Sequence, residues 1–269
     1  LPIFHTHGLF VATNIILLAR ASMIFLPKFD VDMVFAALPK ATSMMGVPTF
    51  YTRLLDDQRL TMQSTSHMRL FVSGSAPVLG ETHVQLSERT NPQILERYGM
   101  TETNMNTTNP YDGPRRAGTV GKPLAGGELK ITDPDTGARV ADGTIGQIEV
   151  RGPNVFVGYW NMPEKTREEL REDGFFITGD LGFIDDQGYL QIVGRNKDLI
   201  IAGGYQIVPR DIELVLEEQR GVIESAVIGV PHADFGESVV GILVSDGTDS
   251  LDLEQITESV ATSLAKFKQ

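Results

Sequence analysis

Apolar and polar positions between residues 68 and 98 alternate with two different periods. "MRLFVSG" is a short apolar run typical of a strand, "SAPVLG" is a turn, and "ETHVQLSERT" has the spacing of a helix. "QILERYG" then predicts a second short strand. This order favours a mainly parallel sheet, in which ligands bind at the carboxyl ends of the strands.

The pattern changes after Pro110. Short strands alternate with turns rich in Gly, Pro and Asp, as in "GTIGQIEVRG", "NVFVGYW" and "FFITGDLGFIDDQGYLQIVGR". Such a succession indicates an antiparallel sheet or a small barrel.

The pattern changes again near Arg195. "PRDIELVLEEQ" predicts an amphipathic helix, two short strands follow, and "LDLEQITESVATSLAKF" predicts a second helix. Asp249 and Asp252 are both candidates for the cap of that helix.

We therefore place a domain boundary at Arg195–Lys197. The predicted fold class is α/β for residues 1–194, with a mainly parallel sheet plus a small β-barrel subdomain. Residues 195–269 are predicted to form a small α+β domain.

The most hydrophobic stretch is residues 9–26, "LFVATNIILLARASMIFL". Asn14 and Arg20 interrupt it, so it predicts a buried helix and strand rather than a membrane span, and we expect no membrane partner. No basic N-terminal region and no small-residue cleavage site indicate a signal peptide. Because the chain opens on Leu1 and closes on "LAKFKQ", we expect a piece of a longer protein.

The charge balance narrows the classes of partner. The 269 residues contain 23 Lys and Arg against 35 Asp and Glu, a net charge of −12, whereas nucleic-acid binding needs clustered cations. We expect small-molecule partners and no nucleic acid, since a small anion needs only a few cations placed locally. The chain has no Cys, which excludes disulfides, thiolate nucleophiles and Cys-zinc sites and fits a reducing, cytoplasmic location.

The stretch "LERYGMTETNMN" places the charged residues Glu96, Arg97 and Glu102 close together at the predicted carboxyl end of the second strand. Neighbouring side chains on a strand point to opposite faces, so Glu96 and Arg97 cannot both serve one pocket. Thr101 offers a hydroxyl and Glu102 a hard oxygen ligand, but Thr and Glu are also common in the first turn of a helix. These residues alone leave both interpretations open.

Six ordered segments together resemble the AMP-forming acyl-CoA synthetase family, the adenylate-forming ligases: "PIFHTHG", "VSGSAP", "YGMTE", "TGD", "GRNKDLI" and "GGYQIVPRDIE". Each segment alone is a weak signal, but the set covers essentially the whole chain. Within the family, "ERYGMTETNMNTTNPYDG" is most similar to the malonyl-CoA synthetases. The resemblance implies that 1–194 is the C-terminal part of a large AMP-binding domain and that 195–269 is a truncated small C-terminal domain.

The resemblance implies a two-step reaction. ATP activates a carboxylate to give acyl-AMP and pyrophosphate, and the thiol of CoA then displaces AMP. The expected cofactors are ATP/AMP, Mg²⁺ and CoA. The first step brings two anions together, so its chemistry is mostly charge neutralisation and positioning.

The resemblance also assigns roles in the nucleotide site. Thr101 would contact phosphate and Glu102 would bind Mg²⁺, and the expected catalytic residues are these two with His5. Asp180 would accept hydrogen bonds from both ribose hydroxyls, and Arg195 would reach the ribose or a phosphate. A turn aspartate and a surface arginine are common without such roles.

Small residues after a strand let a planar adenine lie against the backbone, although a tight turn alone would also use them. The expected nucleotide contacts in this part of the chain are Gly74, Ser75, Ala76, Glu96, Arg97, Tyr98, Gly99, Met100 and Thr101.

Polar residues of the sequence predict which kind of acid the acyl pocket binds. A lone His-x-His pair with no third ligand is more often structural than metal-binding, and the resemblance places His5 at the gate of the pocket. Fatty or aromatic acids need apolar walls, whereas Arg97 and Arg53 would bind a second carboxylate through their guanidinium groups. Arg53 is equally compatible with a solvated helix position. With Ser75, these arginines are the expected substrate-binding residues.

The predicted function is therefore that of an acid–thiol ligase that makes malonyl-CoA from malonate, ATP and CoA. A ligase for methylmalonate or another short acid is one alternative. A domain that loads a carrier protein and a non-catalytic nucleotide-binding fragment are two others.

The two half-reactions would share one pocket but have different requirements. We therefore expect the small domain to rotate between them. The resemblance places the hinge at Lys197, while Gly203 and Gly204 would let the CoA arm pass close to the backbone. The family's Gly-rich Ser/Thr phosphate loop and its late lysine do not occur in this sequence; Lys266 and Lys268 match the helix end before that lysine.

Overall fold

The computed structural model describes residues 1–78, 80–90, 93–203, 205–247 and 251–264, and only the backbone of Gln206. The chain divides into two compact units: Leu1–Thr178 with Phe183–Ile192, and Gly179–Gly182 with Val193–Gln269. The predicted α/β fold class is confirmed. The predicted boundary at Arg195–Lys197 and the domains on either side of it stay a prediction.

The helices of the described residues are short, and several begin with a proline in their first turn, where no backbone donor is needed. The α-helices are α1 (Ile15–Leu18), α2 (Val31–Ala37), α3 (Pro48–Leu55), α4 (Gly80–Arg89), α5 (Pro163–Glu169), α6 (Pro209–Glu217) and α7 (Leu253–Ser263). A π-type helix covers His7–Asn14, and single 3-10 turns cover Leu38–Lys40 and Asn196–Asp198.

The first sheet contains the parallel strands that the sequence predicts. Its strands in spatial order are β1 (Ser43–Gly46), β2 (Leu70–Ser73), β3 (Ile94–Tyr98), β4 (Thr107–Thr108) and β5 (Lys122–Pro123). Strands β1, β2 and β3 pair in parallel, and β4 pairs antiparallel with β3, so that Thr108 lies opposite Arg97. The carboxyl ends of β2 and β3 therefore meet at one edge of the sheet.

Helices α2, α3 and α4 share one apolar core with this sheet. On α3, Tyr51 and Leu54 are buried while Arg53 is exposed. The Tyr51 hydroxyl donates to the carbonyl of Val72 at 2.6 Å, which ties α3 to β2. Burying a large apolar side chain contributes about 1.5–3 kcal/mol. The buried members of this core are Val34, Leu38, Tyr51, Leu54, Leu60, Met68, Phe71, Leu86 and Ile94.

A second sheet follows in the order β6 (Glu128–Thr132), β7 (Gly146–Arg151), β8 (Phe176–Ile184) and β9 (Leu190–Arg195). Its interior contains one carboxylate, Glu149, that is fully buried. Arg171 donates to both oxygens of Glu149, at 2.7 and 2.8 Å, Thr132 donates to one of them at 2.8 Å, and Lys130 lies 3.2 Å away. The buried charge of Glu149 is thus matched by partners, as burial requires.

The third sheet pairs in the order β11 (Tyr205–Ile207), β10 (Ile200–Ala202), β13 (Gly236–Ser245) and β12 (Val222–His232). Helices α6 and α7 pack with it around Ile207 and Ile212. The side chain of Asp252 accepts from the backbone of Gln255 at 3.0 Å and caps α7, which confirms that candidate. The other candidate, Asp249, lies outside the described residues, as do Lys266 and Lys268.

The prediction of a buried helix and strand at residues 9–26 is wrong in part. The stretch is helical up to Leu18, but residues 21–26 form no strand, and the side chains of Leu18 and Phe25 are 84% and 60% exposed. Within this stretch Val11 is buried and Leu26 packs partly buried against the first core, whereas residues 17–25 are exposed. No helix of the described residues combines the length and the hydropathy that crossing a membrane requires.

Gly121 packs directly against β4, and this contact yields a stability prediction. Gly121→Ala should lower the free energy of unfolding by about 3 kcal/mol or more, because its φ is 84° and an added Cβ would lie 1.9 Å from the carbonyl carbon of Thr108. Gly118 is the matched control: its φ is 73° but no atom lies within 4 Å of an added Cβ, so Gly118→Ala should cost about 1–2 kcal/mol. Urea unfolding measures both, and equal losses would contradict the tight packing on β4.

Candidate active site

Glu96 and Arg97 are neighbours on β3, so their side chains leave opposite faces of the sheet. Glu96 enters the core: its carboxylate lies 3.0 Å from Nδ1 of His83 on α4, and both side chains are 5% exposed. Burial raises the pKa of Glu96, and the contact with His83 works against that rise. The structure places Glu96 in a buried pair beneath α4.

Arg97 lies on the other face of β3 and is half-buried. Its Nε donates to Oγ1 of Thr108 on β4, 3.2 Å away. Burial lowers the pKa of the Arg97 guanidinium, and no Asp or Glu of the described chain forms an ion pair with it. A cation that has lost hydration and lacks a carboxylate partner is a candidate binding group for an anionic ligand.

The first residue of the π-type helix, His7, and Thr6 before it lie against this end of the sheet. Nδ1 of His7 is 3.1 Å from Oγ of Ser75, and Oγ1 of Thr6 is 3.3 Å from Oγ1 of Thr101. Burial, with nearby positive charges that include Arg97, lowers the pKa of His7 to about 4, so the ring is neutral at physiological pH. Its Nε2 is buried without a hydrogen-bond partner among the described residues.

His5, the predicted gate of the acyl pocket, is placed differently from His7. Its side chain is exposed, and its ring lies beside Phe4 with 4.7 Å between the ring centroids. The gating role of His5 stays a prediction. The sequence interpretation passed over His7, because the His-x-His spacing does not say which of the two rings turns inward.

Strand β2 ends in a turn of unusual backbone geometry. Ser75 has a φ of 72°, a left-handed conformation that costs a residue other than glycine about 1–2 kcal/mol. An added Cβ at the buried Gly74 would lie 3.4 Å from the His7 ring and 3.5 Å from the Arg97 carbonyl oxygen. Ala76 is exposed. Strain of this kind concentrates at functional sites, and the predicted adenine contact of these residues stays a prediction.

The loop after β3 turns sharply at Gly99. An added Cβ there would lie 1.9 Å from the carbonyl oxygen of Asn104, so only glycine fits. Before it, Tyr98 is buried, and after it Met100 packs against the second sheet's core. Thr101 is exposed at the tip of the turn.

The segment "NVFVGYW", predicted as a strand, forms a loop instead. Gly158 has a φ of 143° and packs so closely that an added Cβ would lie 2.8 Å from the Thr166 side chain. The turn leaves Val157 98% exposed and Trp160 88% exposed. It also brings the backbone N–H of Phe156 to the carbonyl of Glu102, 2.8 Å away.

Glu102 is half-buried, and this loop holds its side chain as well as its backbone. The Tyr159 hydroxyl lies 3.1 Å from Oε1 of Glu102 and 2.5 Å from Oε2 of Glu169. Lys165 lies 2.5 Å from the other oxygen of Glu169. Burial, followed by the contacts with the two carboxylates, raises the pKa of Tyr159, so it keeps its proton. The sequence interpretation missed Tyr159, which stands 57 residues from Glu102.

The carboxylate of Glu102 fits the role of a magnesium ligand. It forms no ion pair with any Lys or Arg that the structure describes, so its charge is available to a cation. No cluster of three or more His, Asp or Glu in the described residues could hold a metal by itself. Mg²⁺ usually takes one or two protein carboxylates and completes its shell with water and substrate phosphates, so one carboxylate beside a nucleotide suffices.

Asp180 and Arg195 belong to the second compact unit and form an ion pair there, with 3.1 Å between Nε and Oδ1. Asp180 is buried, whereas the Arg195 side chain is 54% exposed. Lys197 is exposed in the 3-10 turn that follows. Gly203 has a φ of 58° and donates its N–H to the carbonyl of Phe235 at 2.8 Å. Gly204 lies outside the described residues.

The contacts of Arg53 in the described chain are not with the residues at the carboxyl ends of β2 and β3. It is exposed on α3, and its guanidinium carbon lies 5.9 Å from the centroid of the Phe29 ring. It lines an open groove of about 410 Å³ together with Asp30, Val31, Asp32, Asp56, Asp57 and Arg59. Four aspartates thus lie in the same groove as Arg53, two of them paired with Arg59, whereas no Asp or Glu of the described chain pairs with Arg97.

Comparison with known proteins identifies the family. The profile described as AMP-binding enzyme matches residues 1–160, and the profile described as AMP-binding enzyme C-terminal domain matches residues 211–269. The chain belongs to the AMP-binding enzyme family. The resemblance to AMP-forming acyl-CoA synthetases that the motifs indicated is thereby confirmed.

Several proteins with known names are similar to this chain. A malonate–CoA ligase of Arabidopsis thaliana is 38% identical over 97% of this chain and 46% of its own length, and a long-chain-fatty-acid–CoA ligase of Bacillus subtilis is 36% identical over 99% and 48%. The crystal structure of ATP-bound MatB from Rhodopseudomonas palustris is 59% identical, with a TM-score of 0.97, over 100% of this chain and 53% of that one. The chain thus spans about half the length of these relatives. Two ligases at similar identity are named for different acids, so the acid must be argued from individual side chains.

Glu96→Gln tests whether Glu96 is a structural residue or a nucleotide contact. Folding raises the pKa of Glu96 above its ordinary value near 4.5. Its contribution to stability is therefore fully present below that ordinary value and is lost as the pH rises through the raised pKa of the folded state.

Gln keeps an acceptor for His83 without the buried charge. Glu96→Gln should therefore unfold at an equal or higher urea concentration than the native protein at neutral pH, and the difference should shrink once the pH falls below about 4.5. The affinity for ATP should change by less than about threefold. A large loss of ATP affinity at unchanged stability would make Glu96 a nucleotide contact after all.

Proposed function

We propose that the protein to which this chain belongs is an ATP-dependent acid–thiol ligase that activates malonate. It forms malonyl-AMP and pyrophosphate, and transfers the malonyl group to CoA with release of AMP. One observation carries the choice of acid: Arg97 is a half-buried cation without a carboxylate partner in the described chain, at the carboxyl end of a parallel sheet. Malonate has a second carboxylate besides the one that reacts, and a guanidinium can bind it through two hydrogen bonds.

The surroundings of Arg97 support a short dianion over a long apolar acid. The neutral ring of His7 and the hydroxyls of Ser75 and Thr6 lie at the same end of the sheet. A fatty acyl chain would need apolar walls, because burying it against these groups would leave them without hydrogen-bond partners. The relative named malonate–CoA ligase supports the same acid, and the ATP in the MatB structure supports the nucleotide.

In this proposal the side chains act by position and charge. The reacting carboxylate must approach the α-phosphate, and two anions repel each other unless cations compensate them. Arg97 would hold the remote carboxylate and so orient the reacting one, and Thr101 would donate a hydrogen bond to phosphate. Glu102 would hold Mg²⁺, which offsets the charge of the phosphates when bound.

The second unit would supply the remaining contacts. Asp180 would accept from the ribose hydroxyls, and its ion pair with Arg195 would orient it for that purpose. We place the hinge at Lys197, since an exposed single turn of 3-10 helix is a segment where the backbone can rotate without breaking a core. Gly203, with its left-handed backbone, would leave room for the CoA arm.

Arg97 should outweigh Arg53 in acid recognition. Arg53 is exposed in a groove that it shares with four aspartates, of which Asp32 and Asp57 pair with Arg59. Exposed ion pairs contribute at most about 1 kcal/mol, whereas a desolvated pair is worth more.

The proposed substrate can be tested in the full-length protein by measuring pyrophosphate release with a panel of acids. Malonate should support CoA-dependent AMP formation far better than acetate, octanoate or benzoate. Faster turnover of methylmalonate than of malonate would move the assignment to that neighbouring acid. Equal or better turnover of octanoate would contradict the dicarboxylate assignment altogether.

Arg97→Met should weaken transition-state binding of malonate by about 2–5 kcal/mol, because it removes a desolvated partner of the second carboxylate. kcat/KM for acetate and the affinity for ATP should fall much less. Arg139→Met, which changes an exposed arginine of the same unit, is the control and should match the native protein. If malonate and acetate lose activity equally, Arg97 is a structural or nucleotide-binding residue.

A further inference from the structure

The hydroxyl of Tyr159 stands between two carboxylates and has only one proton to donate. It lies 3.1 Å from Oε1 of Glu102 and 2.5 Å from Oε2 of Glu169. A carboxylate can accept but not donate, so the two glutamates compete for that proton. Which of them receives it depends on what other partners each carboxylate has.

Glu169 has a second partner and Glu102 has none of comparable strength. Lys165, one helical turn earlier on α5, lies 2.5 Å from Oε1 of Glu169 and compensates its charge. In the described chain, Tyr159 is the side chain that contacts the Glu102 carboxylate. The shorter contact favours donation to Glu169, and Lys165 weakens that preference by compensating the charge of Glu169, which makes the proton more available to Glu102.

The Tyr159 ring is itself held firmly. Phe156 packs edge-on against it, with 4.8 Å between the centroids and 79° between the planes. The backbone N–H of Tyr159 donates to Oγ1 of Thr166 on α5 at 2.9 Å. A hydroxyl fixed in this way can orient the carboxylate that it contacts.

We propose that Tyr159 is a positioning residue for Glu102, and that Lys165 and Glu169 set the direction in which its proton points. The hydroxyl fixes Oε1 of Glu102 and leaves Oε2 for a divalent cation that accompanies ATP. This inference rests on the proposed metal-binding role of Glu102. It adds that the cation's affinity is set by a network on α5, and not by Glu102 alone.

The test is the coupling between Mg²⁺ and ATP binding in the full-length protein. Calorimetric titration of ATP with and without Mg²⁺ gives the factor by which the ion tightens the nucleotide. Tyr159→Phe keeps the ring and its packing but removes the hydroxyl. It should reduce that factor about tenfold, because removing a residue that hydrogen-bonds a metal ligand weakens metal binding by at least about that much. The affinity for ATP without Mg²⁺ should stay unchanged. Tyr189→Phe is the control, since in the described chain that hydroxyl donates to the backbone carbonyl of Pro114 and contacts no carboxylate.

A second variant tests the proton's direction without touching Tyr159. Lys165→Met should reduce the Mg²⁺–ATP coupling several-fold, because uncompensated Glu169 would then draw the proton away from Glu102. The matched control on the same helix is Arg167→Met, whose side chain pairs with Glu164 and should leave the coupling unchanged. Lys165 is 44% exposed, so this variant tests the network even if Tyr159→Phe does not fold.

The outcomes separate this inference from the proposed function. If Glu102→Gln abolishes the coupling while Tyr159→Phe and Lys165→Met leave it at the native value, the network has no positioning role and only this inference fails. If Tyr159→Phe weakens ATP equally with and without Mg²⁺, its role is structural and the inference also fails. If Glu102→Gln leaves the coupling unchanged, the metal assignment in the proposed function is wrong as well.

Discussion

Strand β3 is hydrogen-bonded on both sides, in parallel to β2 and antiparallel to β4, and this double pairing fixes which way each of its side chains points. A shift of one residue would exchange the two faces, sending Arg97 into the core and Glu96 out of it. The buried pair of Glu96 with His83 on α4 opposes such a shift. The position of Arg97, and of the turn at Gly99 that leads to Thr101 and Glu102, follows from this one register.

Buried charges in this chain are of two kinds. Glu149 is surrounded by Arg171, Lys130 and Thr132, which compensate it so fully that no ligand is needed. Among the residues that the structure describes, the hydrogen-bond partner of the Arg97 guanidinium is the hydroxyl of Thr108. Leaving a cation partly desolvated costs stability, and the fold tolerates that cost where an anionic ligand repays it on binding. The contrast supports a site for a dianion at the end of the first sheet.

Sequence patterns predicted the parts that depend on local periodicity. The two strands and the helix between residues 68 and 98, the alternation of Glu96 and Arg97, and the Asp252 cap all follow from short-range rules, and the structure agrees with them. The choice between His5 and His7 did not follow, because it depends on how a helix packs on a distant turn. The contact of Tyr159 with Glu102 crosses a loop that a strand-like pattern concealed, since Gly158 turns the chain where alternation predicts extension. The exposure of residues 21–25 depends on packing partners, which local hydrophobicity does not specify.

The central claim is that the guanidinium of Arg97 receives the second carboxylate of the acid. A crystal structure of the full-length protein with malonate and a non-hydrolysable ATP analogue tests it most directly. The account predicts an oxygen of the remote carboxylate about 3 Å from the guanidinium nitrogens, with Glu96 still paired to His83. A malonate whose remote carboxylate binds elsewhere, while Arg97 contacts only Thr108 or a phosphate, would contradict it.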